Sequence, residues 1–278
     1  MKEIIYSINK RSEKRLTGTL RDSGVTSFYI EYTGKEILLK IYSDDDTPLD
    51  LFEKETLISV NEIENDAWNR TWGDNYRGHK LTESIFVLPD GLEGIPGKYS
   101  AVIRIDQYDS FGDGHHPTTR LCAELLSDFI DNISVTHKAK ELSMLDIGTG
   151  SGILSIAAWI MGIRDIELFD YEPVAVEKAA KNLELNGITS LNPFIADIYS
   201  FNTEKKYDLI TANLLSRLLE DNIEKIKSFL KPDGILILSG IGATWTDDMI
   251  NLFRKYCFEI IERRELDDWN GFLLTPLN

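Results

Sequence analysis

The feature that most narrows the folds open to this sequence is a strand–helix alternation that begins at Met144. Met144–Ile147 is a short apolar run, as expected of a strand buried on both faces. The turn Gly148-Thr149-Gly150-Ser151-Gly152 follows it and opens an apolar helical stretch reaching Met161. The unit then repeats. Asp165–Phe169 reads as a strand ending at Asp170, and Pro173–Asn186 as a helix with proline in its first turn and Gly187 just past its end. Tyr207–Ala212, Ser216–Leu230, Ile235–Ser239 and Thr244–Tyr256 continue the alternation, and Phe258–Arg263 and Gly271–Thr275 read as closing strands. Strands joined through helices are forced into parallel crossovers, so the pattern predicts an α/β, doubly wound sheet covered on both faces. Such sheets bind ligands beyond the carboxyl ends of their strands, where the strand order reverses.

The first 60 residues follow another rhythm. Lys2–Ile8 alternates apolar and polar, Asn9–Arg21 is polar with helical character, and Thr26–Tyr32 and Glu36–Tyr42 alternate around a Thr33-Gly34-Lys35 turn. A short helix near Leu49–Lys54 and a strand at Thr56–Val60 complete the order β-α-β-β-α-β, that of a small α+β, ferredoxin-like unit. Residues 61–75 read as a connector, in which Trp68 and Trp72 would share one helix face. Leu81–Leu88 and Ala101–Ile105 are further apolar segments expected to be extended.

Charge narrows the partners. The net charge is −16; the first 60 residues hold 9 basic and 11 acidic side chains, so the remainder holds 21 and 35. Phosphate backbones are repelled by such a surface, and no dense Lys/Arg run offsets it. No apolar run approaches the roughly 20 residues a membrane span needs, and the N-terminus lacks a signal-peptide core. Cys122 and Cys257 have no metal-type spacing, and adjacent His115 and His116 have no third ligand at suitable spacing. The expectation is a cytoplasmic protein that binds neither nucleic acid nor membrane.

Chemistry is expected at the carboxyl ends of the strands. Gly148, Gly150 and Gly152 permit a tight turn and close approach of backbone to a ligand, although glycines at such turns are also used structurally. Their Gly-x-Gly-x-Gly spacing differs from the Gly-x-Gly-x-x-Gly of a nicotinamide site. Asp170 stands 18 residues beyond Gly152 at the end of the next strand, where a carboxylate can accept both hydroxyls of a ribose. Asn213 ends the Tyr207–Ala212 strand and offers an amide donor and acceptor to an amine or a cofactor. It could instead cap the next helix, a role open to Ser216 as well. Glu172 is expected to support the first turn of its helix. Glycine-rich Phe111–Thr119 precedes the helix Arg120–Ile130 and has the composition of a loop that closes over a ligand.

Taken together, Ser110-Phe-Gly-Asp-Gly-His-His-Pro-Thr-Thr-Arg-Leu-Cys122, Leu145-Asp-Ile-Gly-Thr-Gly-Ser-Gly152, Asp170-Tyr-Glu-Pro173, Ala179-Ala-Lys-Asn182 with Leu185-Asn-Gly187, and Ala212-Asn-Leu-Leu215 resemble the ribosomal protein L11 methyltransferase family. The specific element is the Phe-Gly-x-Gly-x-His-x-Thr-Thr loop. The family usually has threonine where Asp113 stands and aspartate where Glu172 stands. The resemblance implies a seven-stranded, Rossmann-like methyltransferase domain over 76–278, a linker over 61–75 and an N-terminal substrate-recognition domain over 1–60. It implies S-adenosylmethionine as cofactor, held through Thr119, Gly148, Asp170 and Asn213, and a large-subunit ribosomal protein as substrate, methylated on lysine and N-terminal amines. Asp197 could contact an adenine. The expected mechanism is in-line displacement by a neutral amine oriented by Asn213, carried out by a monomer without a dedicated general base.

Besides a nicotinamide oxidoreductase, which the glycine spacing and the Asn213 position disfavour, three rivals follow from the same residues. A nucleic-acid amino methyltransferase would want a proline and an aromatic after Asn213, where this chain has Leu214-Leu215-Ser216. A ribosome-binding factor without catalysis would have no use for Thr119, Asp170 and Asn213. Methylation of a different protein's lysine is the alternative that remains open.

Overall fold

The computed structural model describes residues 2–22, 28–33, 36–43, 56–62, 78–92, 97–106, 113–134 and 139–277. The chain divides into two compact units, Met1–Tyr76 and Arg77–Asn278. The expected helix near Leu49–Lys54, Trp68, Trp72, Phe111 and Gly112 lie outside the described residues.

In the first unit, strands β1 (Lys2–Ile8), β2 (Phe28–Thr33), β3 (Glu36–Ser43) and β4 (Thr56–Glu62) pair antiparallel in the order β2-β3-β1-β4. This is the order a split β-α-β unit requires. The alternation of β1 buries Ile4, Tyr6 and Ile8, which stand opposite the buried Ile41, Leu39 and Ile37 of β3; Leu16 and Leu20 of helix α1 (Glu13–Asp22) are buried as well. Asn9 turns the chain into that helix, its Oδ1 accepting the backbone N–H groups of Arg11 and Ser12 at 3.0 Å.

The second unit opens with a small sheet of β5 (His79–Lys80), β6 (Ile85–Pro89) and β7 (Ala101–Ile105). A single strand over Leu81–Leu88 is not what forms. Leu81–Ser84 bends instead, because Thr82 Oγ1 accepts the N–H groups of Ser84 and Ile85 while Leu81 and Thr82 both donate to the Ile85 carbonyl. That side-chain turn ends the pairing begun by β5.

The main sheet contains β8 (Ser143–Ile147), β9 (Asp165–Asp170), β10 (Phe194–Ile195), β11 (Tyr207–Asn213), β12 (Leu230–Gly242), β13 (Phe258–Leu266) and β14 (Trp269–Pro276), in the order β10-β9-β8-β11-β12-β14-β13. β10 through β12 run parallel, and β14 is antiparallel to both its neighbours. The helices are α2 (Pro117–Ser134), α3 (Ile153–Ile160), α4 (Pro173–Leu185), α5 (Ser216–Phe229) and α6 (Thr246–Lys255). All five residues of β8 are buried, which is why it reads as a continuous run and not an alternation. This is the predicted doubly wound fold, with seven strands. No described helix is long and apolar enough to cross a membrane.

Candidate functional site

The chain leaves β8, builds β9 and β10 on one side, then returns to build β11 on the other. The carboxyl ends of β8, β9 and β11 therefore meet at the point where the order reverses, and they carry Gly148, Asp170 and Asn213. Gly148, Gly150 and Gly152 all adopt left-handed backbone, with φ of 69°, 55° and 80°. A Cβ at Gly148 would collide with Leu214 Cδ2, and one at Gly152 would lie 3.3 Å from Ala179 Cβ. Around Gly150 a Cβ would meet nothing within 4 Å. A side chain at Gly148 or Gly152 would thus meet the fold itself, whereas Gly150 has open space beside its backbone.

Asp170 ties that turn to β9. Its Oδ2 accepts the Gly150 N–H at 2.9 Å and its Oδ1 accepts the Glu172 N–H at 3.1 Å. Each carboxylate oxygen has a second lone-pair direction, so both remain able to accept a hydroxyl. Glu172 stands at the N-cap position of α4, where its charge faces the positive end of the helix, and its side chain makes no cap hydrogen bond.

On the opposite side, Asn213 Nδ2 donates to Thr119 Oγ1 at 3.3 Å. Thr119 is buried in the first turn of α2. With the amide nitrogen so directed, the Asn213 carbonyl oxygen is the acceptor the residue can offer a ligand. Asn213 does not cap α5, and neither does Ser216: the N-cap position is Leu215, and Ser216 Oγ donates to the Gly240 carbonyl at 3.1 Å. Asp197 closes its own loop, its Oδ1 accepting the Tyr199 N–H at 2.9 Å.

Two supports were not singled out from the sequence. Asp146, inside β8 and 1% exposed, accepts three hydroxyls: Thr149 Oγ1 at 2.7 Å, Ser155 Oγ at 2.8 Å and Thr211 Oγ1 at 2.6 Å. These come from the glycine turn, α3 and β11, so one carboxyl knits both banks of the crevice together. Burial, opposed by the three hydroxyl bonds, holds this carboxyl above the ordinary aspartate range. Asn182, also buried, donates to the Ser151 carbonyl at 2.8 Å and accepts the Asp106 N–H at 2.8 Å, bracing the turn from α4. The available signals were a carboxylate within an apolar strand and an asparagine on the buried face of an amphipathic helix.

The described part of the glycine-rich loop packs beside the turn. Asp113 accepts both the backbone N–H of His115 and its ring Nδ1, each at 2.9 Å. The His115 ring lies on His79, with centroids 3.7 Å apart. His116 Nδ1 is 2.8 Å from Thr118 Oγ1, and the His116 carbonyl accepts the Thr119 N–H at 3.1 Å.

The donors and acceptors suit S-adenosylmethionine: a carboxylate for a ribose diol, an open glycine backbone, and a hydroxyl–amide pair for the amino-acid end. A doubly wound seven-stranded sheet with one antiparallel strand and this crevice at its switch point is the architecture of Rossmann-like, S-adenosylmethionine-dependent methyltransferases. The family described as Ribosomal protein L11 methyltransferase (PrmA) matches residues 4–275, and the chain belongs to that family. The chain is 31% identical to the ribosomal protein L11 methyltransferase of Thermosipho melanesiensis, over 98% of this chain and 97% of that one. It is 29% identical to that of Ruminiclostridium cellulolyticum, over 87% of this chain and 79% of the other. Among solved structures, the ribosomal protein L11 methylase from Lactobacillus delbrueckii subsp. bulgaricus superposes with a TM-score of 0.63 at 28% identity, covering 73% of this chain and 100% of its own.

Proposed function

We propose that this chain transfers methyl groups from S-adenosylmethionine to lysine side-chain and N-terminal amines of ribosomal protein L11. The observation that supports this most is the match over residues 4–275 to a family named for that substrate.

When bound, S-adenosylmethionine supplies an electrophilic methyl group on a sulfonium. In this reading Asp170 accepts the ribose hydroxyls, and Gly148 and Gly150 let the backbone approach the ligand. Thr119 and Asn213 shape its methionine end. The Asn213 carbonyl oxygen accepts a hydrogen bond from the incoming amine and aims its lone pair. A free lysine has a pKa of about 10.4, and exclusion of water favours the neutral form that can attack. Positioning, with water kept out, supplies most of the rate. Residues 1–60 recognise the substrate, 61–75 connect, and 76–278 transfer the methyl group. The protein works as a cytoplasmic monomer, and its acidic surface suits a basic protein partner better than nucleic acid.

Incubating the full chain with labelled S-adenosylmethionine and purified L11, followed by mass spectrometry, tests the reading. Methyl increments on L11 amines are expected, together with their loss from L11 in cells lacking the chain. Unmodified L11 alongside a methylated lysine in another protein would move the assignment to that substrate. No transfer to any protein would overturn it.

A further inference from the structure

Asp113 and His115 occupy two of the variable positions in the Phe-Gly-x-Gly-x-His-x-Thr-Thr pattern, and in the structure they bond to each other. Asp113 clamps His115 twice, through backbone and ring. Between them Gly114, at φ 94°, leaves no room for a side chain: a Cβ there would stand 2.8 Å from both His79 Nε2 and Ile153 Cδ1. Ile153 opens α3 directly after Gly152, and His79 belongs to β5, which pairs with β6. The turn is therefore wedged between the small sheet and the helix that follows the glycine turn. Its C-terminal side runs through His116 into Thr119, which meets Asn213.

We propose that Asp113 and His115 are positioning residues for cofactor binding, locking the loop onto the His79 platform so that Thr119 is presented to Asn213. The inference rests on Thr119 and Asn213 belonging to the cofactor pocket.

The platform makes the lock sensitive to acid. Among the described residues, the titratable and charged groups that act most on His79 are His115 and Asp113 in the turn and Arg120 in α2. Burial and the neighbouring His115 lower the His79 pKa from 6.5 to about 4, against the pull of Asp113 and the Gly114 backbone. Burial alone would raise the Asp113 carboxyl, but the His115 bonds outweigh it and hold it below the ordinary range. His79 is therefore neutral when the loop is docked and takes up a proton near pH 6.5 when it is released. Docking is at full strength above about pH 6.5 and weakens as pH falls toward 4, by about tenfold at pH 5.5.

Calorimetric titration of the full chain with S-adenosylmethionine from pH 5.5 to 7.5 tests the proposal. At pH 7.5, Asp113→Asn and His115→Phe should each weaken binding about tenfold, the worth of a charge-assisted bond, with the loss falling on KM for S-adenosylmethionine more than on kcat. The wild type should bind more weakly at pH 5.5, and His79→Phe, which keeps a ring to stack on, should flatten that slope. Normal affinity in both loop variants, or an undiminished slope in His79→Phe, would overturn the proposal. Where a variant does not fold, the wild type alone decides: cofactor binding should release protons at pH 5.5 and not at pH 7.5, and no release at either overturns it. Thr119→Ala separates the pocket assignment from the positioning role. If it binds normally, the pocket assignment fails; if it binds weakly while Asp113→Asn does not, only the positioning role fails.

Discussion

Asn213 and Thr119, 94 positions apart in sequence, meet through a single side-chain hydrogen bond of 3.3 Å between the end of β11 and the first turn of α2. The bond joins the two motifs on which the proposed chemistry turns, the Asn-Leu-Leu strand end and the glycine-rich loop. Asn213→Ala removes the proposed acceptor for the amine and should lower methyl transfer roughly a hundredfold or more. Stability in urea should stay within about 1 kcal/mol, since the residue is only half-buried. Near-normal turnover in a labelled-methyl assay would remove Asn213 from the mechanism.

Asp170→Asn keeps the shape of the carboxylate while halving its acceptors and removing its charge. Affinity for S-adenosylmethionine should drop about tenfold or more, because hydrogen bonds to charged groups are worth about 1.5–3 kcal/mol. Calorimetry gives the number directly. Unaltered affinity would mean the ribose is held elsewhere.

Gly150 and Gly240 should respond oppositely to the same change. Gly150→Ala introduces a methyl group into open space at φ 55°, so strain of about 1–2 kcal/mol is its only effect on the fold, while in the proposed function the methyl group would stand in the way of the cofactor. Gly240→Ala, at φ 85°, would drive its Cβ into the Leu214 carbonyl and should fail to give a stable sheet. Thermal melting paired with cofactor titration distinguishes a folded, non-binding Gly150→Ala from an unstable Gly240→Ala. A Gly150→Ala variant with wild-type affinity would show that the ligand approaches by another route.

Asp146→Ala leaves three buried hydroxyls without their common acceptor and should destabilise the second unit by about 2–4 kcal/mol. The wild-type carboxyl has a raised folded-state pKa, so the folded chain holds its proton to higher pH than the unfolded one. Relative to Asp146→Ala, the wild type should therefore lose stability as pH rises from the ordinary carboxylate range through that raised value. Urea titrations of both chains across pH measure this slope, and parallel curves would contradict it.

Most of the doubly wound sheet was legible because its strands are short apolar runs separated by helices of clear period, with Gly and Pro marking the ends. The glycine turn, Asp170 and Asn213 were legible because each stands at a predicted strand end. What stayed hidden was set by contacts distant in sequence. Asp146 reads as an interruption of an apolar strand until Thr211, 65 residues on, supplies one of its three donors. Ser216 reads as a helix cap until the Gly240 carbonyl claims its hydroxyl. The Leu81–Ser84 bend was missed for a local reason, the competition of the Thr82 hydroxyl for N–H groups that a strand would have paired. The Asp113–His115 clamp required knowing which way a glycine-flanked turn folds.

The order of strands carries a consequence for how the molecule is made. β14 follows β13 in the chain but lies between β12 and β13 in the sheet. As the polypeptide emerges from a ribosome, β13 has no neighbour to join until Trp269–Pro276 has been made. Until then β12, the strand paired with β11, presents an open edge of the kind that invites non-native pairing. Completion of the sheet is thus a late event in synthesis, waiting on the last strand, which closes the β12 edge and brings β13 to the sheet in the same step.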